Sequence, residues 1–497
     1  MTSTEPLHVL IAGGGLSGLA LAQGLIKDGH TCEVFERDAD DSRKIGYYLH
    51  MNADGGEALR RCLPADLFEL YAQTSRRTYD RHESVVLDDQ LNELSSQPHL
   101  GPPNDGDPPH TGVHRRTPRA ILRARLGASF HPGKPVTGYK ETPEEVSVTL
   151  ADGTTARGDV LVGADGIRSA VRGQRLPGAV VIDAGVRGLG VFGRTPLTPE
   201  LAAQLPPHLF EGVIIAADRK GSRMLIAVYR PRQRPGDAAA AIAPDVTLEP
   251  VDDYVMISCS VPPGTVIPPA AQWADGTPAM LRDAMLTAIE GWHPAARALV
   301  AGVDLGSIFV IPFGFLEPAP PWEPSRVTLV GDAAHAMLPT LGLGANLALR
   351  DAAHLLDRLS AAARGETGLV PAIGAYEQDM RDYVYPFMRM TMDHDRQFGG
   401  GALQGRDQHH DAAAGLAAGD AAPAPHRLLG RRPGLRDEAV DPGSRRRPVP
   451  GHRARAARGF RPDRGRPALR RRRVRPRGRL RRLGPDRRGA QPGPRDR

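Results

Sequence analysis

The residues of this chain best suited to chemistry fall in three places, and each place couples glycine to a carboxylate. In the first, Gly13, Gly15 and Gly18 fit the pattern GxGxxG, with Leu16 and Ser17 between the last two and Glu36 and Arg37 further on. Gly13 permits a tight turn, Gly15 lets a pyrophosphate come close to the backbone, and Gly18 lets a helix pack tightly on a strand. A helix opening there offers unpaired N–H groups to phosphates. The carboxylate of Glu36 is placed to accept a hydrogen bond from a ribose hydroxyl of an adenosine.

These residues need a particular scaffold, and the flanking pattern supplies it. Residues 8–12 form a short apolar run that reads as a buried strand, residues 16–28 carry apolar side chains at helical spacing, and 32–36 read as a second strand. GxGxxG alone is weak evidence; strand, glycines, helix, strand and acid in that order make a complete βαβ unit. The second place is Asp165-Gly166-Ile167-Arg168-Ser169, directly after a buried strand at 158–164. The third follows the strand 326–330: Gly331-Asp332, then Pro339, Gly342, Gly344, Ala345 and Asn346 opening a helix through Leu356. Such a helix points its positive end and free N–H groups at whatever lies before Gly344. A further GxGxxG match, Gly188 to Gly193, lacks a following helical pattern and precedes Pro196 and Pro199, so it reads as a glycine-containing strand.

A chain of 497 residues has room for two or three domains. Cys32, Cys62 and Cys259 show no metal-type spacing and suit a reducing compartment, and no disulfide is expected. No basic leader precedes the first apolar run and no run is long enough to span a bilayer, which points to a soluble, cytoplasmic protein without membrane partners. The net charge of +7 is unevenly placed: residues 401–497 hold 27 Arg, no Lys and 9 acids, against 37 bases and 48 acids in 1–400. That tail is rich in Arg, Pro, Gly and Ala without periodicity, so it is expected to be disordered. It reads as a basic arm for an anionic partner, as a solvated tail, or, the favoured reading, as the product of GC-rich DNA translated out of frame.

Between these places, residues 44–52 read as a strand, 55–70 as one helix, 95–112 as a patternless connector and 118–127 as a helix. From about 180 to 300 the pattern becomes that of an antiparallel sheet, with runs at 212–217, 223–229 and 254–260 and a helix at 278–291. Residues 371–396 form one more amphipathic helix.

The three motifs, in this order, resemble those of the class A flavoprotein monooxygenases, the para-hydroxybenzoate hydroxylase-like family, over residues 7–400. The resemblance implies an α/β fold: a Rossmann-like FAD-binding domain from 1–180 and 300–370, an inserted antiparallel-sheet substrate domain at 181–299, and a C-terminal helix at 371–400. It implies that Gly13, Gly15, Leu16, Ser17, Gly18, Glu36 and Arg37 hold the ADP part of FAD. Asp165 and Gly166 match the DG motif, tied in the family to FAD and to NAD(P)H. Gly331, Asp332, Pro339, Gly342, Gly344, Ala345 and Asn346 match the GD motif, in which Asp332 would bind the ribityl chain. Arg115, with Arg116 as its neighbour and alternative, matches an arginine that helps hold the FAD phosphates.

The implied reaction uses NAD(P)H and O2 to hydroxylate an aromatic or polyketide-type ring through a flavin hydroperoxide. An epoxidase or a Baeyer–Villiger enzyme would share every motif. A halogenase is disfavoured because Trp273, Trp292 and Trp322 stand alone, without a WxWxI run. In another class stand a non-catalytic flavin-binding protein and a nucleic-acid binder using the tail. No catalytic base is assigned; His50, Tyr48 (with Tyr47 beside it) and Tyr229 are candidates to line the pocket. His335 and His354 read as structural, and no spacing suggests a metal.

Overall fold

The computed structural model describes residues 5–40, 46–76, 83–99, 112–185, 190–262, 264–311 and 313–399, all within one compact unit, Met1–Arg431. The tail 401–497, residues 44–45 of the expected strand, most of the expected connector and Gly188 lie outside the described residues.

The apolar run at the start becomes the strand His8–Ala12, central in a five-stranded sheet. Its neighbours are Thr31–Glu36 on one side and Val160–Gly163 on the other, with Phe130–Pro132 and Val327–Leu329 at the edges. Every pairing in this sheet is parallel. A parallel sheet covered on both faces needs strands that are apolar throughout, and Val9, Leu10, Ile11, Val160, Leu161 and Val162 are all fully buried. The opening helix Leu16–Lys27 packs on the helix Gly344–Ala363 and is tied to Arg116–Arg123 by Gln23, whose Nε2 donates to the carbonyls of Leu122 and Ala124 at 2.8 and 2.6 Å.

The helix expected over 55–70 forms as two, Ala53–Cys62 and Ala65–Thr74. Pro64 separates them: Leu63 before it is held extended at φ −81°, ψ 149°, as the residue preceding a proline is biased to be. The expected antiparallel sheet is present, with seven strands. It also takes in Glu83–Leu87 and Glu93–Pro98, outside the 181–299 span, with Glu83–Leu87 pairing parallel to Val213–Ala217. Residues 95–98 are thus strand where a connector was expected. Val191–Pro196 is a strand, as expected for the second glycine pattern. Among the described residues no helix is long and apolar enough to cross a membrane.

The two faces of the seven-stranded sheet differ. Ile214, Ala216, Met224, Ile226 and Val228 face helices 277–288 and 294–301 and are fully buried with Leu281, Met285 and Leu299. The opposite face carries Phe192, Ala227, Tyr229, Tyr254, Met256 and Phe309, and it meets Tyr48 of the strand Tyr48–His50. On that face Val213, Ile215 and Leu225 stay partly exposed.

His114 is set into the aromatic junction, its Nδ1 3.0 Å from the Tyr254 hydroxyl. Burial, with Arg194 and Arg116 nearby, pushes its pKa down to about 3. The folded protein therefore keeps His114 neutral where the unfolded chain would protonate it. Its contribution to pH dependence has a definite sign: stability is unaffected above the ordinary value near 6.5 and falls as pH drops from there toward 3. Between pH 6.5 and 5 the wild type should lose stability with decreasing pH more steeply than His114→Gln, by up to about 1.4 kcal/mol per pH unit for one proton. Equal slopes in denaturant titrations across that window would remove His114 from the acid sensitivity.

Candidate functional site

The three motifs, far apart in sequence, are brought together at the carboxyl ends of three neighbouring parallel strands, where open α/β sheets bind ligands. Gly13 sits at φ +109°, and a Cβ there would stand 2.3 Å from the Ala164 carbonyl oxygen and 2.8 Å from the Asp165 Cα. Only glycine lets the first motif lie against the second. Gly331, at φ +59°, does the same for the third: a Cβ would meet Ala348 Cβ at 2.9 Å and Ser17 Oγ at 3.1 Å. Gly18 closes the junction from below, with the Gly13 carbonyl 2.2 Å from its would-be Cβ.

Gly15 breaks this pattern. It is extended at φ −77°, ψ −174°, directly before the opening helix, and a Cβ on it would find nothing within 4 Å. The space in front of it is where a pyrophosphate would approach the helix N-terminus. Leu16 is partly buried and Ser17 buried in the first turn.

Glu36 lies at the tip of its strand, as its position after the glycines implies. Its Oε2 accepts from the Gly14 amide at 3.0 Å and its Oε1 from the Asp38 amide at 3.0 Å. Arg37 points outward, 70 % exposed and 3.5 Å from Asp38. A further arginine, Arg119, which the sequence reading did not single out, contacts this loop directly. Arg115 sets its guanidinium over the Tyr47 ring, 5.4 Å from the centroid, and Arg116 pairs with Glu249. Arg119 is the buried one: its Nε donates to the Gly14 carbonyl at 3.0 Å, and its Nη2 lies 3.6 Å from Glu36 Oε2. One helical turn separates it from Arg115, which is the signal that could have pointed to it.

Asp165 has work inside the fold. Its Oδ2 accepts from the amides of Ala170 and Val171 at 2.8 and 3.4 Å, at the start of the helix Ala170–Arg175. Gly166 follows at φ +78°. From that helix Arg172, buried, donates to the carbonyls of Ala333 and Ile167 at 3.1 and 2.5 Å, tying the second motif to the third.

In the third motif Gly331 precedes the short helix Asp332–His335, and Asp332 is exposed while Ala333, Ala334 and His335 are buried. Pro339 opens a 3-10 turn ending on Gly342 at φ +66°, and Gly344 begins the twenty-residue helix Gly344–Ala363. The Gly344 and Ala345 amides lie in its first turn. Asn346 is fully buried and fully engaged: its Nδ2 donates to the carbonyls of His50 and Gly342 at 3.0 and 3.3 Å, and its Oδ1 accepts from the Asn52 amide at 3.0 Å. Its side chain is a strut joining the early strand to the helix. Asn346→Ala should therefore lower the unfolding free energy, by about 1–3 kcal/mol for each buried partner left unmatched. Unchanged thermal and denaturant unfolding would show that the strut carries no load.

His335 and Asp351 form a fully buried pair beneath the motif, Nε2 to Oδ2 2.5 Å. Burial alone would lower the imidazole's pKa, but Asp351 outweighs it and the value is raised. Asp351 Oδ2 also accepts from the Gly331 amide at 2.9 Å.

The pocket candidates separate. His50 stays partly exposed beside Gly342, its ring centroid 4.1 Å from that of His99 with the two planes tilted by 39°. Tyr48 is 4 % exposed and takes a hydrogen bond from Arg76 Nη1 at 3.3 Å. Tyr229 is fully buried, donates to the Thr74 carbonyl at 2.8 Å and stacks on Tyr254. Both tyrosines belong to the packed aromatic junction, Tyr229 from the seven-stranded sheet and Tyr48 from the strand Tyr48–His50 that lies against it.

The FAD binding domain family model matches residues 318–389, the third motif and its helices. A salicylate hydroxylase of Pseudomonas putida is 30% identical over 387 residues, covering 76% of this chain and 82% of that protein. This chain belongs to the FAD-dependent monooxygenases. The dual O-methyltransferase/FAD-dependent monooxygenase elcB of Phaeosphaeria nodorum is 31% identical over 412 residues, 77% of this chain, and the chain spans only 43% of its length. Among solved structures, one described as an FAD-containing monooxygenase, from Photorhabdus luminescens, superposes with a TM-score of 0.65 at 28% identity, covering 78% of this chain and 97% of that one. FAD is thus the cofactor of this family of sites, and the open approach at Gly15 and the exposed carboxylate of Asp332 fit it.

Proposed function

We propose that this protein is a monooxygenase that uses FAD, NAD(P)H and O2 to hydroxylate an aromatic or polyketide-type small molecule. The observation that carries this reading is the meeting of the three motifs at the carboxyl ends of neighbouring parallel strands, with open space in front of Gly15. Gly15 and the amides after it would hold the pyrophosphate, Glu36 a ribose hydroxyl, and Asp332 the ribityl chain. The first turn at Gly344 and Ala345 would face the pyrimidine edge, where its N–H groups favour negative charge. A flavin held there would supply the redox chemistry, hydride acceptance from NAD(P)H and activation of O2 for insertion.

The chain's own contribution is to position the ring and keep water away from it. The partly exposed, apolar face at Val213, Ile215 and Leu225 offers a wall for a flat ring, and the cluster it borders is aromatic. His50 lies beside Gly342, near the start of the helix Gly344–Ala363. Relatives named salicylate hydroxylase set the scale of substrate to try first.

The test is to load the purified chain with FAD and follow NAD(P)H oxidation and O2 uptake with simple and fused-ring phenols. The reading expects phenol-stimulated consumption of both, with a product heavier by one oxygen atom. A flavin-loaded protein that consumes neither with any phenol would contradict it.

A further inference from the structure

We infer that the buried His335–Asp351 pair is a positioning device for the cofactor site: it locks the Gly331 turn and so aims Asp332, acting through that residue without touching the cofactor. The inference rests on the reading that Asp332 binds the ribityl chain.

The geometry forms a closed loop. The Gly331 amide donates to Asp351 Oδ2 at 2.9 Å, and His335 Nε2 meets the same oxygen at 2.5 Å. The Gly331 carbonyl in turn accepts from the amides of Ala334 and His335 at 2.8 and 2.9 Å. Gly331 is therefore held at both its N–H and its carbonyl, the first by Asp351 directly and the second by the amides of Ala334 and His335, whose side chain meets the same Asp351 oxygen. Asp332 is the one residue inside this loop that turns to solvent. Its direction follows from the φ +59°, ψ −140° conformation that the loop enforces.

The pair also fixes the turn to a second part of the site. Asp351 lies on the helix that begins at Gly344, two turns in, so one carboxylate sets the spacing between Asp332 and the amides of that first turn. Packing alone does not account for it. Two fully buried polar groups cost desolvation that an apolar pair of similar volume would avoid, whereas a charged pair sharing one oxygen with a backbone amide specifies a single geometry. Among the described residues His335 Nδ1 and Asp351 Oδ1 have no hydrogen-bond partner, so within them the two groups are committed to each other and to Gly331.

The test is a double-mutant cycle read by equilibrium FAD titration of the apoprotein, with thermal melting of each apoprotein as control. His335→Ala should weaken FAD binding roughly tenfold, the size of one charge-assisted hydrogen bond misplaced. His335→Gln, whose amide can still donate to Asp351, should recover most of that. In an Asp332→Asn background His335→Ala should cost less than about twofold, because the residue it aims is already disabled. If His335→Ala does not fold, Asp351→Asn takes its place in the same cycle. Equal losses in both backgrounds, or no loss from either member of the pair, would overturn the inference and leave the Asp332 reading standing. An Asp332→Asn protein that binds FAD as tightly as wild type would overturn both.

Discussion

Gly15→Val is expected to give a folded, colourless protein. Three facts make the outcome sharp. Gly15 has an extended backbone that valine adopts readily, at φ −77°, ψ −174°. A Cβ there meets no protein atom within 4 Å, so the fold has no reason to object. The added side chain stands where the pyrophosphate must approach the amides that open the helix Leu16–Lys27. Absorbance near the flavin bands, measured after purification and again after incubation with excess FAD, reads the effect, and circular dichroism and melting report the fold. The contrast with Gly13→Ala sharpens it further. There the backbone is at φ +109° and the Cβ would sit 2.3 Å from the Ala164 carbonyl oxygen, so that variant should fail to fold. A yellow Gly15→Val protein with wild-type flavin content would exclude the loop as the pyrophosphate site.

Asp332→Ala should retain its fold and lose FAD affinity by about one to two decades, since a hydrogen bond to a charged group is worth roughly 1.5–3 kcal/mol. The carboxylate is exposed and makes no hydrogen bond within the described protein that the fold would miss. The residues around it do that work: Ala333, Ala334 and His335 are buried, and Gly331 carries the turn. FAD titration of the apoprotein measures the loss, and the melting temperature without FAD should move little. An unchanged dissociation constant would take Asp332 out of the site.

What could be read from the sequence is what the backbone encodes locally. Gly13, Gly18 and Gly331 are required by contacts a Cβ would violate, and each sits beside a strand whose apolar run marks it, so the motifs and their scaffold were legible together. The contact of Arg119 with the Gly14 loop was not. It depends on which face of the helix Arg116–Arg123 turns to the Gly14 loop, and that is set by Gln23 and the opening helix, a hundred residues earlier. Tyr48 and Tyr229 look like pocket residues in isolation, but Tyr229, by its pairing with Tyr254, and Tyr48, by its pairing with His114, both pack in the aromatic junction. The strands at 83–98 were hidden for the same reason, since Glu83–Leu87 finds its partner more than a hundred residues away in Val213–Ala217. Asn346 matched a cofactor motif, yet its side chain is spent on His50, Gly342 and Asn52. Only its place in the first turn of the helix points toward a ligand. The break at Pro64 could have been seen, because the residue before a proline resists the helical conformation.

The measurement that bears most directly on this account is a crystal structure of the chain with FAD. The account predicts the pyrophosphate over Gly15 at the start of the helix Leu16–Lys27, a ribose hydroxyl on Glu36, the ribityl chain within hydrogen-bond reach of Asp332, and the pyrimidine edge at the amides of Gly344 and Ala345. FAD bound elsewhere, or lying on this sheet edge with Asp332 turned away from it, would contradict it.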